Sequence, residues 1–476
     1  MRPTRPVLAL VWLACACASS TDDRARWLTD ALVADAWPQL MREPIEVAGK
    51  WAKMADSPYA WLRGTAQVYE RDEARLAPGH VPTHRANPNL PVVWLTGDPH
   101  LENIAAELGP QGQWTLEFDD MDAATWGPYT FDLRRLALGA WLVAESAPVS
   151  DSVRDDWARA AAQGYVDEIV RLSQGVPPTR LDEAGDLGVI FADLMARAHQ
   201  ASEEGNNWAS WAHAGAGGHA LLRGEIDPPG NGFVTTRLDE PTPSERVLVA
   251  ASVHDTLGVR VLDVARRRGQ GVSSYAHWRF YAVIDGGSDG PEDDFILEWK
   301  ECSDPLRFDG LPSWIVPPAS INGERVVVSA RNLQSRPDID RWLAWTGDQA
   351  LSAKIRSRAD PVGDTERGLD AQRVADKLTK NKWTSEDVRT MADRSGRLLA
   401  QAHARAPTPD GKRGLAILAP EVSAIGGDLV AETAASAHAG GVQLRQDREM
   451  AKELLLARGP LLGWTPPPPA PGETIR

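Results

Sequence analysis

The chain has 476 residues, and its 51 Lys and Arg against 66 Asp and Glu give a formal net charge of −15. This acidic balance excludes general binding to a nucleic-acid backbone, and the 43% hydrophobic content excludes wholesale disorder. Beyond the N-terminal segment, no apolar run reaches the ~20 residues that would span a bilayer.

The first predicted element is a signal peptide at residues 1–22, where Arg2 and Arg5 precede an apolar stretch ending in small residues. It predicts an exported protein, either periplasmic or attached to the envelope by a lipid on Cys15 or Cys17. The alternatives are a start placed too early and a buried N-terminal segment.

The rest of the chain divides into four predicted parts. A mainly helical part contains the strand PVVWLTG and the strand QWTLEF, which we expect to pair as a hairpin around a loop at 98–112. Within the β-rich part, HWRFYAVID and DFILEWKE predict a second hairpin, whereas ERVVVSARNLQ fits a strand or a helix. The parts are 23–250 (mainly helical), 251–345 (β-rich), 346–460 (C-terminal helical) and 461–476 (a disordered Pro-rich tail).

Acidic and polar residues cluster in the first half of the chain, in TGDPHLENI and LEFDDMD. Asp98, His100, Glu102 and Asn103 follow one predicted strand, and the Asp119–Asp122 segment follows the next. Carboxylates that share a site repel each other unless a cation lies between them, and such oxygen ligands suit Mg²⁺ or Mn²⁺. The alternative is that these acids are solvated loop residues, and that Asp132 only caps the following helix.

Six sequence blocks, in the same order, resemble those of the bacterial family of unknown function DUF2252. They span residues 57 to about 406. GDPHLEN followed by DDMD also resembles the signature of aminoglycoside phosphotransferases and choline kinase-like enzymes. The blocks are SPYAWLRGTA, GDPHLEN with DDMD and GPYTFDL, LDVARRRGQGV, FILEWKECSDPL, NGERVVVSARNLQ and LLAQAHARA.

The resemblance to kinase-like enzymes implies roles for the acidic residues. Asp98 would accept the proton of an attacking hydroxyl, and His100 would orient the loop by hydrogen bonds. Asn103 and Asp120 would bind metal with assistance from Asp122, so that the implied cofactors are Mg²⁺ or Mn²⁺ and ATP as the donor.

The second half contains residues placed like the nucleotide-binding parts of a kinase. Gly269 and Gly271 form a loop that would approach phosphates, and Lys300 lies on a later strand like the phosphate-binding lysine of kinases. Arg63 would be either a phosphate clamp or a structural ion pair. The implied fold is α+β and protein-kinase-like, but the catalytic-loop block comes first, which requires a circularly permuted order or an independent fold.

Two departures from the family pattern weaken the kinase-like interpretation. Ser274 and Val328 stand where the family has a third loop Gly and a Glu, so Glu301 or Glu324 would have to pair with Lys300. The leading function is a Mg²⁺-dependent phosphotransferase acting on a small-molecule or protein hydroxyl. The alternatives are a metal-dependent phosphoesterase, which export would suit, and a non-catalytic, pseudokinase-like binding protein.

Overall fold

The computed structural model describes residues 23–465, apart from 73–90, 204–210, 216–217, 226–236, 289, 309–310, 337 and 360–365. The predicted signal peptide and residues 466–476 of the predicted tail lie outside the described residues. The described chain is a mixture of helices and antiparallel sheets, so the predicted α+β class is confirmed.

Helices make up most of the described chain. They are α1 (23–35), α2 (Trp37–Arg42), α3 (Pro44–Ala55), α4 (Pro58–Gly64), α5 (66–72), α6 (Tyr129–Leu142), α7 (Asp151–Ser173), α8 (Gly188–Glu203), α9 (Pro243–Leu257), α10 (Asn322–Leu333), α11 (Ala371–Thr379), α12 (Ser385–Arg405) and α13 (Gly414–Arg458).

The strands form one large sheet and three small ones. They are β1 (Val92–Leu95), β2 (Ile104–Leu108), β3 (Trp114–Phe118), β4 (Thr125–Pro128), β5 (Ala212–Gly215), β6 (Gly218–Leu221), β7 (Gly224–Glu225), β8 (Arg237–Asp239), β9 (Val261–Arg268), β10 (Arg279–Ile284), β11 (Phe295–Glu301), β12 (Ala344–Gly347), β13 (Ser352–Ala359) and β14 (Glu366–Gly368).

The large sheet has seven antiparallel strands in the order β12-β13-β11-β10-β9-β8-β7. The predicted hairpin of β10 and β11 is confirmed, with Arg279 opposite Lys300. Because side chains alternate between the two faces of a strand, one face carries Phe280, Trp299 and Ile355, which pack with α9 in an apolar core. The other face carries charged residues and lies toward the acidic loop of the helical part.

The helical part is built around α6, all of whose side chains are buried, because α7, α12 and α13 pack around it. The axes of α7 and α12 approach closely, and glycines make this possible. A Cβ at Gly164 would lie 2.2 Å from the carbonyl oxygen of Asp393, and one at Gly396 would lie 2.0 Å from that of Ala161. This rigid bundle supports the loops that carry the site.

Helix α13 contains an 18-residue stretch with a mean hydropathy of 1.4, of which 28% is buried. By length and composition alone this helix could cross a membrane. In the structure it packs along α6 and α7, as a helix of a protein core also does.

One local prediction is corrected, and one open alternative is resolved. The strand at 91–97 does not pair with QWTLEF: β1 pairs with β4, and β3 pairs with β2. The Ala-rich sequence of β2 carries little strand signal, which explains the missed partner. The segment ERVVVSARNLQ, which fits a strand or a helix by sequence, is helical. The following long helix α12 is capped by Thr384, whose side chain accepts from the Asp387 amide.

Candidate functional site

A strained turn after β1 presents Asp98. Gly97 has a left-handed φ of +84°, and a Cβ there would lie 2.2 Å from the carbonyl oxygen of Ala123, so no other residue fits without a shift. The buried carboxylate of Asp132 accepts hydrogen bonds from the Thr96 and Gly97 amides, at 2.7 and 3.1 Å. Asp132 is therefore not the cap of α6 but the group that fixes the turn before Asp98.

Asp98 is buried beside a guanidinium. Its Oδ1 accepts from Arg135 Nε at 2.8 Å, and its Oδ2 lies 3.7 Å from His100 Nε2. Burial raises the pKa of Asp98, and the carboxylate of Asp120 adds to the rise, whereas Arg135 and Arg63 oppose it. A buried carboxyl with a raised pKa is typical of a group that exchanges protons.

His100 is almost completely buried, and burial together with Arg63 and Arg135 lowers its pKa well below 6.5. The imidazole is therefore neutral at pH 7. Its Nδ1 has no hydrogen-bond partner among the described residues. The orienting role by hydrogen bonds stays a prediction, because Nε2 lies 3.7 Å from Asp98 Oδ2 and no side-chain hydrogen bond of His100 is seen among the described residues.

Asn103 and Arg63 lie on either side of the same loop. Asn103 Nδ2 donates to the carbonyl oxygen of Asp98 at 2.9 Å, which holds the two predicted site residues together. Arg63 pairs with Glu102 at 2.5 Å, so it is a structural ion pair on this geometry, although its Nε has no partner in the described chain.

The second acidic loop connects β3 to β4 and meets the first one. The amide of Asp119 donates to the carbonyl of Asn103 at 3.1 Å, which joins the two loops. Arg325 of α10, fully buried, donates to the carbonyls of Ala124 and Asp122 at 2.6 and 2.9 Å. A third bond, to Ser303 at 2.7 Å, ties the acidic loop to the chain that follows β11.

Two lysines of the large sheet face this loop and form a four-residue cluster, here called the Lys–Asp quartet (Asp120, Asp122, Lys300 and Lys354). Lys300 and Lys354 lie directly opposite each other on β11 and β13. Their ammonium groups lie 2.5 and 2.9 Å from Asp122, and 3.4 and 3.2 Å from Asp120. The quartet is electrically balanced, which is how two buried ammonium groups can lie side by side.

The lysines control the charge state of the acids. Burial alone would raise the pKa of Asp120, but Lys300 and Lys354 overcome it and hold that pKa well below its usual range. The pKa of Asp122 is lowered by the same lysines, against burial and the repulsion of Asp120. The two carboxylates in turn raise the pKa of Lys354 above its ordinary value. Asp120, Asp122 and Lys354 are therefore charged at pH 7.

Glu298 lies on the same sheet face, between Arg279 at 2.7 Å and Arg356 at 3.1 Å. It is fully buried, and burial would raise its pKa. The two arginines and the lysines outweigh burial and hold the pKa of Glu298 far below the usual value. The part of this face near Lys300 is thus a network of charges.

The predicted glycine loop joins β9 to β10. Gly269 and Gly271 both have left-handed φ values, +74° and +80°. Ser274, which replaces the family's third Gly, accepts a hydrogen bond from Arg279 Nη2 at 3.0 Å. Arg279 also pairs with Glu298, so the loop is connected to the charged face of the sheet.

The structure brings most of the predicted site residues to one place, where the charged sheet face meets the two acidic loops. Glu301, which sequence reasoning offered as a partner of Lys300, pairs with Arg42 instead. Sequence reasoning missed Lys354, Arg135 and Arg325. The sequence could have indicated Lys354, because cationic residues alternate with small or apolar ones along β13, which is typical of a strand with one charged face.

The donor types for a divalent cation are present in this site. Asp120, Asp122 and Asn103 offer carboxylate and amide oxygens, which Mg²⁺ and Mn²⁺ prefer. A cation would have to compete with Lys300 and Lys354, because these lysines already neutralise both carboxylates. Within the described ranges, no three His, Cys, Asp or Glu side chains are arranged to hold a metal ion.

The fold and site define an α+β protein in which lysines of a large antiparallel sheet meet the acidic loops of the helical part. The chain belongs to the bacterial family DUF2252, described as an uncharacterized protein conserved in bacteria, whose family model matches residues 42–217 and 234–450. The family predicted from the six sequence blocks is therefore confirmed. No curated protein and no solved structure matches the chain significantly.

Proposed function

We propose that this DUF2252 protein is a kinase-like phosphotransferase that transfers a phosphoryl group to a small-molecule or protein hydroxyl. The observation that carries the proposal is the Lys–Asp quartet, in which sheet lysines meet the acids of a loop joined to that of Asp98. Phosphoryl transfer depends mainly on positioning and charge stabilisation, and these are the contributions that such a cluster can make.

The order of elements around Lys300 supports a kinase-like arrangement. A glycine loop connects β9 and β10, Lys300 lies on the next strand, and α10 follows. Kinases place a Gly-rich loop and a phosphate-binding lysine on strands in this order. Here the acids that face Lys300 come from an earlier part of the chain, as a permuted order requires.

Each site residue has a proposed role. Asp98 accepts the proton of the acceptor hydroxyl, and Arg135 holds its carboxylate in place. Lys300 and Lys354 bind the phosphates of the donor, with ATP as the first candidate. Asp120 and Asp122, with Asn103, would bind Mg²⁺ or Mn²⁺, which when bound would neutralise negative charge on the transferring group. We further propose that the protein acts in the periplasm or envelope, as its N-terminal sequence predicts.

The test measures ATP turnover and thermal stability of the purified chain with ATP and Mg²⁺ or Mn²⁺. Ligand that binds only the folded state raises the unfolding midpoint by mass action. We expect Asp98→Asn to abolish turnover but keep the midpoint shift, and Asp120→Asn to lose the metal-dependent shift. Asp376→Asn, in an exposed part of α11, serves as the matched control.

The possible outcomes separate the three functions. Turnover that needs a hydroxyl acceptor supports the phosphotransferase. Release of inorganic phosphate regardless of acceptor would instead identify a phosphoesterase, and a midpoint shift without any turnover would identify a binding protein. Full turnover in both the Asp98 and the Asp120 variants would show that the site assignment is wrong.

A further inference from the structure

Three cationic side chains contact the glycine loop (269–275, the connection between β9 and β10). One comes from α3 and the other two from the strands that flank the loop. Each contacts a different loop residue. The contacts are Lys53 Nζ to the Gly269 carbonyl at 3.4 Å, Arg267 Nε to Gln270 Oε1 at 3.2 Å, and Arg279 Nη2 to Ser274 Oγ at 3.0 Å.

Two of these cations form no close ion pair among the described residues. Arg279 pairs with Glu298, but Lys53 and Arg267 form no ion pair within the part of the chain that the structure describes. Arg267 is 6% exposed, and its Nη1 makes no hydrogen bond there. Burial and the neighbouring cations Arg63 and Arg267 lower the pKa of Lys53, against the attraction of Asp56. A buried guanidinium with an open donor is costly unless an anion completes it.

Among the described residues, the sheet face beside the loop offers no apolar slot for a base. Its apolar end is filled by the chain itself, because the ring of Trp211 contacts Tyr281 edge-on at 5.3 Å and both side chains are buried. Nearer to Lys300, the face is occupied by Glu298 between its two arginines. An aromatic base binds by stacking on apolar surface, whereas phosphates bind to cations and amides.

We propose that the ligand of this site is a multiply charged phosphate compound bound through its phosphate groups, with Lys53 and Arg267 as phosphate-binding residues and without a pocket for a nucleobase. This inference rests on the proposed function, since it names the donor class for the same site. The loop supplies glycine backbone that phosphate oxygens can approach closely, and the lysines of the quartet supply further charge.

The experiment compares inorganic tripolyphosphate, ATP and adenosine by isothermal titration with the full chain. We expect tripolyphosphate and ATP to bind with affinities within about threefold of each other, and adenosine not to bind. A base whose contacts contributed about 1.4 kcal/mol would already make ATP bind about tenfold more tightly than tripolyphosphate. Arg267→Gln and Lys53→Gln should each weaken tripolyphosphate binding about tenfold or more, the magnitude of a lost charged hydrogen bond. Arg260→Gln, an exposed position just before β9, should leave binding unchanged.

The wild-type comparison needs no variant, so it decides the question even where a substitution impairs folding. ATP binding much tighter than tripolyphosphate, or binding of adenosine, would overturn the inference, as would the absence of any polyphosphate binding. Wild-type affinity in both variants would also overturn it. Binding of polyphosphate without transfer to any acceptor would support this inference and refute the phosphotransferase. Phosphoryl transfer from ATP, with ATP bound much more tightly than tripolyphosphate, would support the phosphotransferase and refute this inference.

Discussion

The Lys–Asp quartet predicts that its two carboxylates differ in what they do. Asp122 lies 2.5 and 2.9 Å from the two ammonium groups, and its side chain is 16% exposed. Asp120 lies farther away, at 3.4 and 3.2 Å, and is 35% exposed. We therefore expect Asp122→Asn to affect mainly folding and Asp120→Asn to affect mainly ligand binding.

The magnitudes follow from burial. Removing one member of a buried ion pair costs about 3–5 kcal/mol because it leaves an uncompensated charge, so Asp122→Asn should cost about 3 kcal/mol given its partial exposure. Asp120 lies farther from the buried lysines and is about a third exposed, so solvent screens part of the lost attraction and Asp120→Asn should cost less, about 1–2 kcal/mol. Replacing Lys354 by Met in the Asp122→Asn background restores the charge balance, and should recover part of the loss.

Urea unfolding at pH 7, followed by circular dichroism, measures these free energies, and the four variants of Asp122 and Lys354 form a double-mutant cycle. We expect a coupling between the two residues of about 1–3 kcal/mol. If Asp120→Asn destabilised the fold more than Asp122→Asn, or if the cycle showed no coupling, the charge-balance reasoning would be refuted.

Three further predictions concern the surroundings of the quartet. Arg325→Met removes three hydrogen bonds of a buried guanidinium and should cost about 3 kcal/mol in urea unfolding. A loss below about 1 kcal/mol would contradict the role of Arg325 in joining the acidic loop to the chain after β11. Gly97→Ala should lower stability by about 2 kcal/mol or more, because its Cβ meets the Ala123 carbonyl, whereas Gly112→Ala, left-handed but in open space, should cost only about 1 kcal/mol. Glu298→Gln tests pH dependence. Because the pKa of Glu298 is lowered by folding, its carboxylate stabilises the wild type above the ordinary value of about 4.5, and this stabilisation is lost as the pH falls. The difference in unfolding free energy between wild type and variant should therefore shrink below about pH 4.5, and a difference that stays constant would contradict the lowered pKa.

Sequence reasoning found the parts of the site that are local in the chain. The segment from Gly97 to Asn103 carries its own motif, and Asp120 and Asp122 follow within 20 residues. The strands β10 and β11 could also be predicted, since both have β-branched or aromatic residues and a glycine-rich turn between them. These features depend on short-range spacing, which one sequence displays.

The contacts that complete the site are long-range and could not be read from spacing. Asp120 lies 180 residues before Lys300 and 234 before Lys354. Arg135 looked like one more residue of an apolar helix, and nothing in the sequence showed that its guanidinium reaches back to Asp98. For Asp132 the sequence offers a helix cap as the alternative role, because a carboxylate at the start of a helix usually is one.

The distance in sequence between the two halves of the quartet bears on the order of the blocks. The acids belong to a loop set on the helical bundle, and the lysines belong to a sheet that folds from a later segment. Ion pairs depend on where charges lie in space and not on which precedes the other in the chain. A catalytic loop that precedes its lysine can therefore form the same charge arrangement as one that follows it, provided that the sheet and bundle pack in the same relation. Arg325 connects the acidic loop to the sheet, since it donates to the carbonyls of Asp122 and of Ser303, just after β11. The distances within the quartet therefore depend on how the sheet packs against the helical part.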